Sequence, residues 1–140
     1  MDVLIGTAAA DHVAISVRSA VDPSSEGWLI SNVTIAVGAW RGSYEAWFCT
    51  WDFPKFREQL ETLHSTLDGT ARFDTLEHQL ELEFTVDSRG HIEICGAASD
   101  RAVDGNDLTF SFELDQSYLP AIIKQLRAVE ATCPHNGPDV

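Results

Sequence analysis

Between Leu80 and Leu114 the chain alternates apolar and polar residues three times over, and this restricts its fold more than any other feature. Leu80, Leu82, Phe84 and Val86 interleave with Glu81, Glu83 and Thr85. Ile92 and Ile94 interleave with His91, Glu93 and Cys95. Leu108, Phe110, Phe112 and Leu114 interleave with Thr109, Ser111 and Glu113. A period of two sends successive side chains to opposite faces, so each segment reads as a strand with one dry and one wet face. Such alternation belongs to antiparallel sheets, because parallel strands covered on both faces read as continuous apolar runs. Asp87-Ser88-Arg89-Gly90 and Asp104-Gly105-Asn106-Asp107 supply turns.

The N-terminal half repeats the theme. His12 to Arg18 alternates on Val13, Ile15 and Val17, and Asp22 to Gly27 reads as a loop. Trp28 to Val37 is a second strand, Gly38 to Gly42 a turn, and Ser43 to Thr50 its hairpin partner. A helix follows, with Asp52 as N-cap, Pro54 in the first turn and Gly69 where a C-terminal cap belongs. Its stripe is Phe53, Phe56, Leu60, Leu63 and Leu67. Thr70 to Asp74 reads as a short strand. The last helix is capped by Asp115 or Ser117 and carries Leu119, Ile122, Ile123, Leu126 and Val129 on one face. The expected fold is therefore α+β, a mostly antiparallel β-sheet with two α-helices packed on one face. Residues 1–133 are expected to form one domain and residues 134–140 a flexible tail. Phe53-Pro54 through Gln59-Leu60 echoes Leu119-Pro120 through Gln125-Leu126. Shared helix-start chemistry is the simpler account of that echo. A duplication would require the two halves to overlay.

Charge narrows the choice of partner. Nine Lys and Arg oppose 22 Asp and Glu in 140 residues, a formal net charge of −13. Phosphate backbones and anionic membrane surfaces would be repelled, so neither nucleic acid nor membrane is an expected partner. A basic protein would be attracted. Three widely spaced cysteines, Cys49, Cys95 and Cys133, form no disulfide framework, and no export signal or spanning segment is visible, so a cytoplasmic location is expected. His12, His64, His78 and His91 show no ligand spacing, and neither a nucleophile elbow nor a glycine-rich phosphate loop occurs. No metal, no cofactor and no catalytic residues are expected, and the chain reads as a binding protein rather than an enzyme.

Two groups of residues are candidates for partner binding. Glu81, Glu83, Glu93 and Glu113 occupy the polar positions of the alternating strands, where they would share one open sheet face. Such a face lacks the burial that tunes carboxylates for acid–base catalysis, but it suits docking of a cationic surface. Trp40, Trp47 and Trp51 lie in or beside the aromatic-rich hairpin that begins at Trp28. Tyr44, Ala46 and Phe48 face one way on the return strand, while Trp47, Cys49 and Trp51 face the other. Exposed tryptophans are common binding anchors.

Several segments resemble the family of small bacterial WapI-type immunity proteins. They are Gly90-His91-Ile92-Glu93-Ile94, then Asn106 with Leu108, Phe110 and Phe112, then Leu114-Asp115-Gln116-Ser117-Tyr118-Leu119-Pro120. Asp52-Phe53 with Phe56 and Gln59-Leu60, and the hairpin residues Val37-Gly38 and Trp40 to Gly42, are similar too. The resemblance implies a non-catalytic cytoplasmic protein that binds and neutralises a polymorphic toxin, often a basic nuclease. It assigns no catalytic residues. The alternative kept open by the residues themselves is a small-ligand-binding or accessory domain with a pocket lined by the tryptophans.

Overall fold

The computed structural model describes residues 2–20 and 27–133. The expected loop, apart from Gly27, and the expected tail from Pro134 lie outside the described residues. Four strands and a helix are followed by four more strands and a second helix. The first half runs β1 (Asp2–Gly6), β2 (His12–Ala20), β3 (Trp28–Val37), β4 (Trp40–Cys49) and α1 (Asp52–Thr66). The second runs β5 (Thr70–Phe73), β6 (Leu80–Val86), β7 (His91–Ser99), β8 (Asp107–Asp115) and α2 (Leu119–Thr132), with a short 3₁₀ turn at Gln116–Tyr118. The α+β class with antiparallel pairing is as expected. The strands divide, however, between two sheets, β1-β2-β3-β4 and β5-β6-β7-β8, each a simple antiparallel meander.

Alternation decides what each sheet buries. Val3, Ile5, Val13, Ile15, Val33 and Ile35 line the inner face of the first sheet, and Phe73, Leu82, Phe84, Ile92 and Ile94 that of the second. Phe53, Phe56, Leu60 and Leu63 of α1 and Leu119, Ile122, Leu126 and Val129 of α2 join them in one apolar cluster. Each helix packs on the first strand of the opposite half, α1 on β5 and α2 on β1, and the helices pack on each other.

The echo between the helices acquires a physical meaning here. Gln59 of α1 clasps the edge of β5: the Arg72 N–H donates to its Oε1 at 2.9 Å, and its Nε2 donates to the Arg72 carbonyl at 3.2 Å. Gln125, the matching residue of α2, does the same to β1. The Leu4 N–H donates to its Oε1 at 2.7 Å, and its Nε2 donates to the Leu4 carbonyl at 3.3 Å. An edge strand exposes unpaired donors and acceptors, and a carboxamide can satisfy one of each. Glu61 and Arg127, also matching positions, pair with each other across the helix interface. Topology, reciprocal packing and these equivalent contacts give the two ββββα halves the same arrangement. Beside the Glu61 pair, Arg57 of α1 grips Glu130 of α2 through Nε at 2.6 Å and Nη2 at 3.1 Å.

Several local expectations give way to tertiary context. β1 is unannounced by sequence because Val3-Leu4-Ile5 is an unbroken apolar run with no polar residue to mark a period of two, yet Val3 and Ile5 are fully buried. The β3–β4 turn is shorter than expected, and β4 already begins at Trp40. Asp52 is not the N-cap of α1. The cap position is Trp51, which makes no side-chain cap bond, and the Asp52 carboxylate instead reaches back to accept the Cys49 N–H at 2.8 Å. Asp115 caps the 3₁₀ turn leading into α2 by accepting the Ser117 N–H at 3.0 Å. The left-handed residue ending α1 is Leu67, with φ 51°, rather than Gly69 two positions on. A side chain in that region costs about 1–2 kcal/mol. Leu67 is also 41% exposed, so little packing compensates. Leu67→Gly is therefore expected to stabilise the chain by about 0.5–1 kcal/mol. An unchanged or lowered urea midpoint would show that the exposed leucine contributes more than the strain removes.

Candidate binding surfaces: an acidic sheet face and an aromatic cleft

Register places all four candidate glutamates on the outer face of the second sheet. Glu83 stands across from Cys95, Glu81 from Ala97, Thr85 from Glu93, and Glu93 from Glu113. Their surroundings differ. Arg72 pairs with Glu83 at 2.7 Å, and His78 Nδ1 lies 2.7 Å from Glu81. Glu93 and Glu113 oppose each other with no cation paired to either among the described residues. Glu93 accepts a hydrogen bond from the Cys95 thiol, 3.3 Å away. That hydrogen bond, with some burial and the Glu93 and Glu83 charges, raises the thiol above its ordinary pKa. Like charges directly opposite on neighbouring strands destabilise a sheet.

The three candidate tryptophans do not converge. Trp40 stands at the start of β4, 68% exposed. Trp47 lies seven residues further along, roughly 23 Å away at strand rise, and on the other face of the strand. Trp51 is half-buried at the start of α1, where its ring closes over Gly27.

Trp47 instead meets Trp28, a residue outside the expected set. Trp28 pairs with Cys49 at the end of the same hairpin. The two ring centroids lie 6.4 Å apart with planes tilted by 59°. They form one wall of an open cleft of about 540 Å³. Glu45 and Glu77 share that lining, and the β7–β8 loop closes the far side with Asp100, Arg101 and Ala102. Gln79 also lines the cleft and is 4% exposed. Its carboxamide clasps the edge of β4, accepting the Trp47 N–H at 3.1 Å and donating to the Glu45 carbonyl at 3.1 Å. Its own carbonyl accepts the Tyr44 hydroxyl at 2.6 Å and the Ser99 N–H at 3.0 Å. The two sheets are thereby tied together beneath the cleft, which is preformed.

The electrostatics are lopsided. Three carboxylates line the cleft against one guanidinium. Glu45 is already engaged: Arg18 donates to it at 2.6 Å and the Trp47 indole Nε1 at 3.2 Å, and these bonds hold its carboxyl below the usual range. Asp100 accepts the Asn106 N–H at 2.7 Å, which also lowers its pKa. Glu77 makes no hydrogen bond or ion pair among the described residues. Negative charge leaves its mark on buried neighbours. Burial, then Asp52 and Glu77, push the Cys49 thiol up to about 12, and burial with Asp100 raises the Tyr44 phenol.

Two exposed apolar side chains adjoin cleft residues in sequence. Trp47, Leu76 at 61% and Val103 at 75% are among the large hydrophobic residues left in solvent. Leu76 adjoins Glu77 in sequence and Val103 adjoins Ala102. The cleft thus escaped sequence reasoning, although bulky apolar residues inside two otherwise polar loops were its signal. No three His, Cys, Asp or Glu side chains gather as metal donors among the described residues. No helix among them is long and apolar enough to cross a membrane.

The fold and these surfaces define an α+β protein of two ββββα halves with an acidic open sheet. A solved structure with the same architecture is that of MRP1/MRP2 from Trypanosoma brucei, with a TM-score of 0.53 at 9% identity. The match covers 96% of this chain and 85% of that one. At that identity the likeness extends to the fold alone. No curated protein matches the sequence. The family is shown by residues 4–134, which match the immunity protein WapI-like family; the chain belongs to it.

Proposed function

We propose that this protein is an immunity protein that binds a cognate toxin in the cytoplasm and silences it by occlusion, the toxin being a basic protein. Family membership supports the general role. The observation that carries the finer reading is the Glu93–Glu113 pair, two carboxylates held face to face without a cation on an open sheet. A cationic surface docking there would relieve the repulsion, and the net charge of −13 would steer it in. Glu81 and Glu83 contribute field rather than contact, being already paired with His78 and Arg72.

Glu93→Lys with Glu113→Lys is expected to slow association with the cognate toxin domain by about tenfold or more at low salt. The salt dependence of the on-rate should flatten as well. Stopped-flow measurement at two ionic strengths decides it. Unaltered rates at both would remove this face from the interface. A second reading, binding of a small ligand, draws on the Trp28–Trp47 cleft. Its volume falls within the about 300–1,000 Å³ common for small-molecule sites.

A further inference from the structure

We infer that the Trp28–Trp47 cleft is the seat of a single arginine side chain projecting from the protein partner, an inference that rests on the immunity reading above. The cleft has an aromatic wall, an acidic lining and a rigid floor. Trp47 is 38% exposed and lines the cleft, so part of its side chain is accessible to a ligand. A cation over an indole face is attracted by the ring's negative quadrupole. A guanidinium is flat, stacks on such a face, and still has N–H groups left to donate in its own plane. Glu77 is the carboxylate placed to receive them, since Glu45 is held by Arg18 and the Trp47 indole and Asp100 by Asn106.

Charge complementarity selects the occupant. Three carboxylates against Arg101 leave the lining negative, which disfavours an anionic ligand and favours a cation. The exposed apolar neighbours Leu76 and Val103 suit a partner surface around that cation better than a free small molecule. An aromatic anchor surrounded by groups that exclude water is the usual arrangement of a binding hot spot. Gln79 ensures that nothing has to be built on binding, because the β4 edge and the Tyr44 hydroxyl are already tied to it.

The test uses the whole chain and two blocked peptides, acetyl-Gly-Arg-Gly-amide and its citrulline counterpart, which keeps shape but lacks charge. Indole N–H resonances of Trp28 and Trp47 are followed by NMR. The arginine peptide is expected to shift both saturably, and the citrulline peptide to bind at least fivefold more weakly. Glu77→Gln and Trp47→Ala should each weaken binding at least fivefold, with Trp47→Phe recovering part of it; unchanged thermal melts establish that the variants fold. Silent indoles, or equal binding of the two peptides, would overturn the proposal. Loss of binding in Glu93→Gln/Glu113→Gln but not in Glu77→Gln would overturn it too. A second arm separates this inference from the function it rests on. If the wild-type chain fails to protect cells expressing its cognate toxin, the immunity reading fails. If it protects, and Trp47→Ala/Glu77→Gln protects equally with unchanged affinity for the toxin, only the arginine seat is lost.

Discussion

Phe73→Ala is expected to lower the stability of the fold by about 3–5 kcal/mol, the range for removing a buried aromatic ring. Phe73 ends β5, yet its ring belongs to neither half alone. It meets Phe48 of the first sheet at 5.4 Å between centroids, and Phe53 and Phe56 of α1 at 5.7 and 5.3 Å. It is 1% exposed. Alanine would leave a void bounded by these three rings, and rings held by a sheet and a helix have little freedom to collapse into it. Each edge-to-face or tilted contact adds about 0.5–1.5 kcal/mol beyond area burial. Denaturant unfolding should show a large fall in midpoint. A loss below about 1.5 kcal/mol would mean that the joint between the halves lies elsewhere.

The second large effect depends on pH. Asp52 is 5% exposed, and burial pushes its carboxyl up to about 6, against partial relief from the Cys49 N–H and Lys55; Asp74 adds to the rise. A carboxyl that binds its proton more tightly in the folded state favours folding when protonated. That contribution is fully present below pH 4, fades between about pH 4 and 6, and is gone above. About two pH units correspond to roughly 3 kcal/mol. Asparagine keeps an acceptor for the Cys49 N–H and does not titrate. Asp52→Asn should therefore gain stability relative to the wild type as pH rises from 4 to 7. Urea unfolding of both proteins at the two values measures the difference. Parallel pH profiles would show that Asp52 is solvated well enough to ionise freely.

Both arguments concern places where distant parts of the chain meet, and such meetings mark where sequence reasoning stopped. The Glu81, Glu83, Glu93 and Glu113 face followed directly from period two, because side chains two apart on a strand must share a side. Antiparallel pairing then brings them together. Trp40, Trp47 and Trp51 could not be sorted in the same way, since their exposure depends on what covers each face. Trp51 closes over Gly27, Trp40 lies beyond the core, and Trp47 finds Trp28 across the hairpin. Glu77, Gln79 and Asp100 sit in loops, where no period tells which way a side chain turns.

By itself, the sequence determined the local elements other than β1, the wet and dry faces of the alternating strands, the apolar stripes of the helices and the negative charge. All of these are set by neighbours within a few residues. Only the tertiary structure decided that the strands form two sheets, that each helix docks on the opposite half, and that Gln59, Gln125 and Gln79 finish exposed sheet edges. A glutamine reads the same in any solvated loop or helix, and its role is settled by whichever unpaired backbone groups lie within reach once the chain has closed. The cleft beside Trp47 exists for that same reason, assembled from residues between positions 28 and 102 that share no pattern until they are packed together.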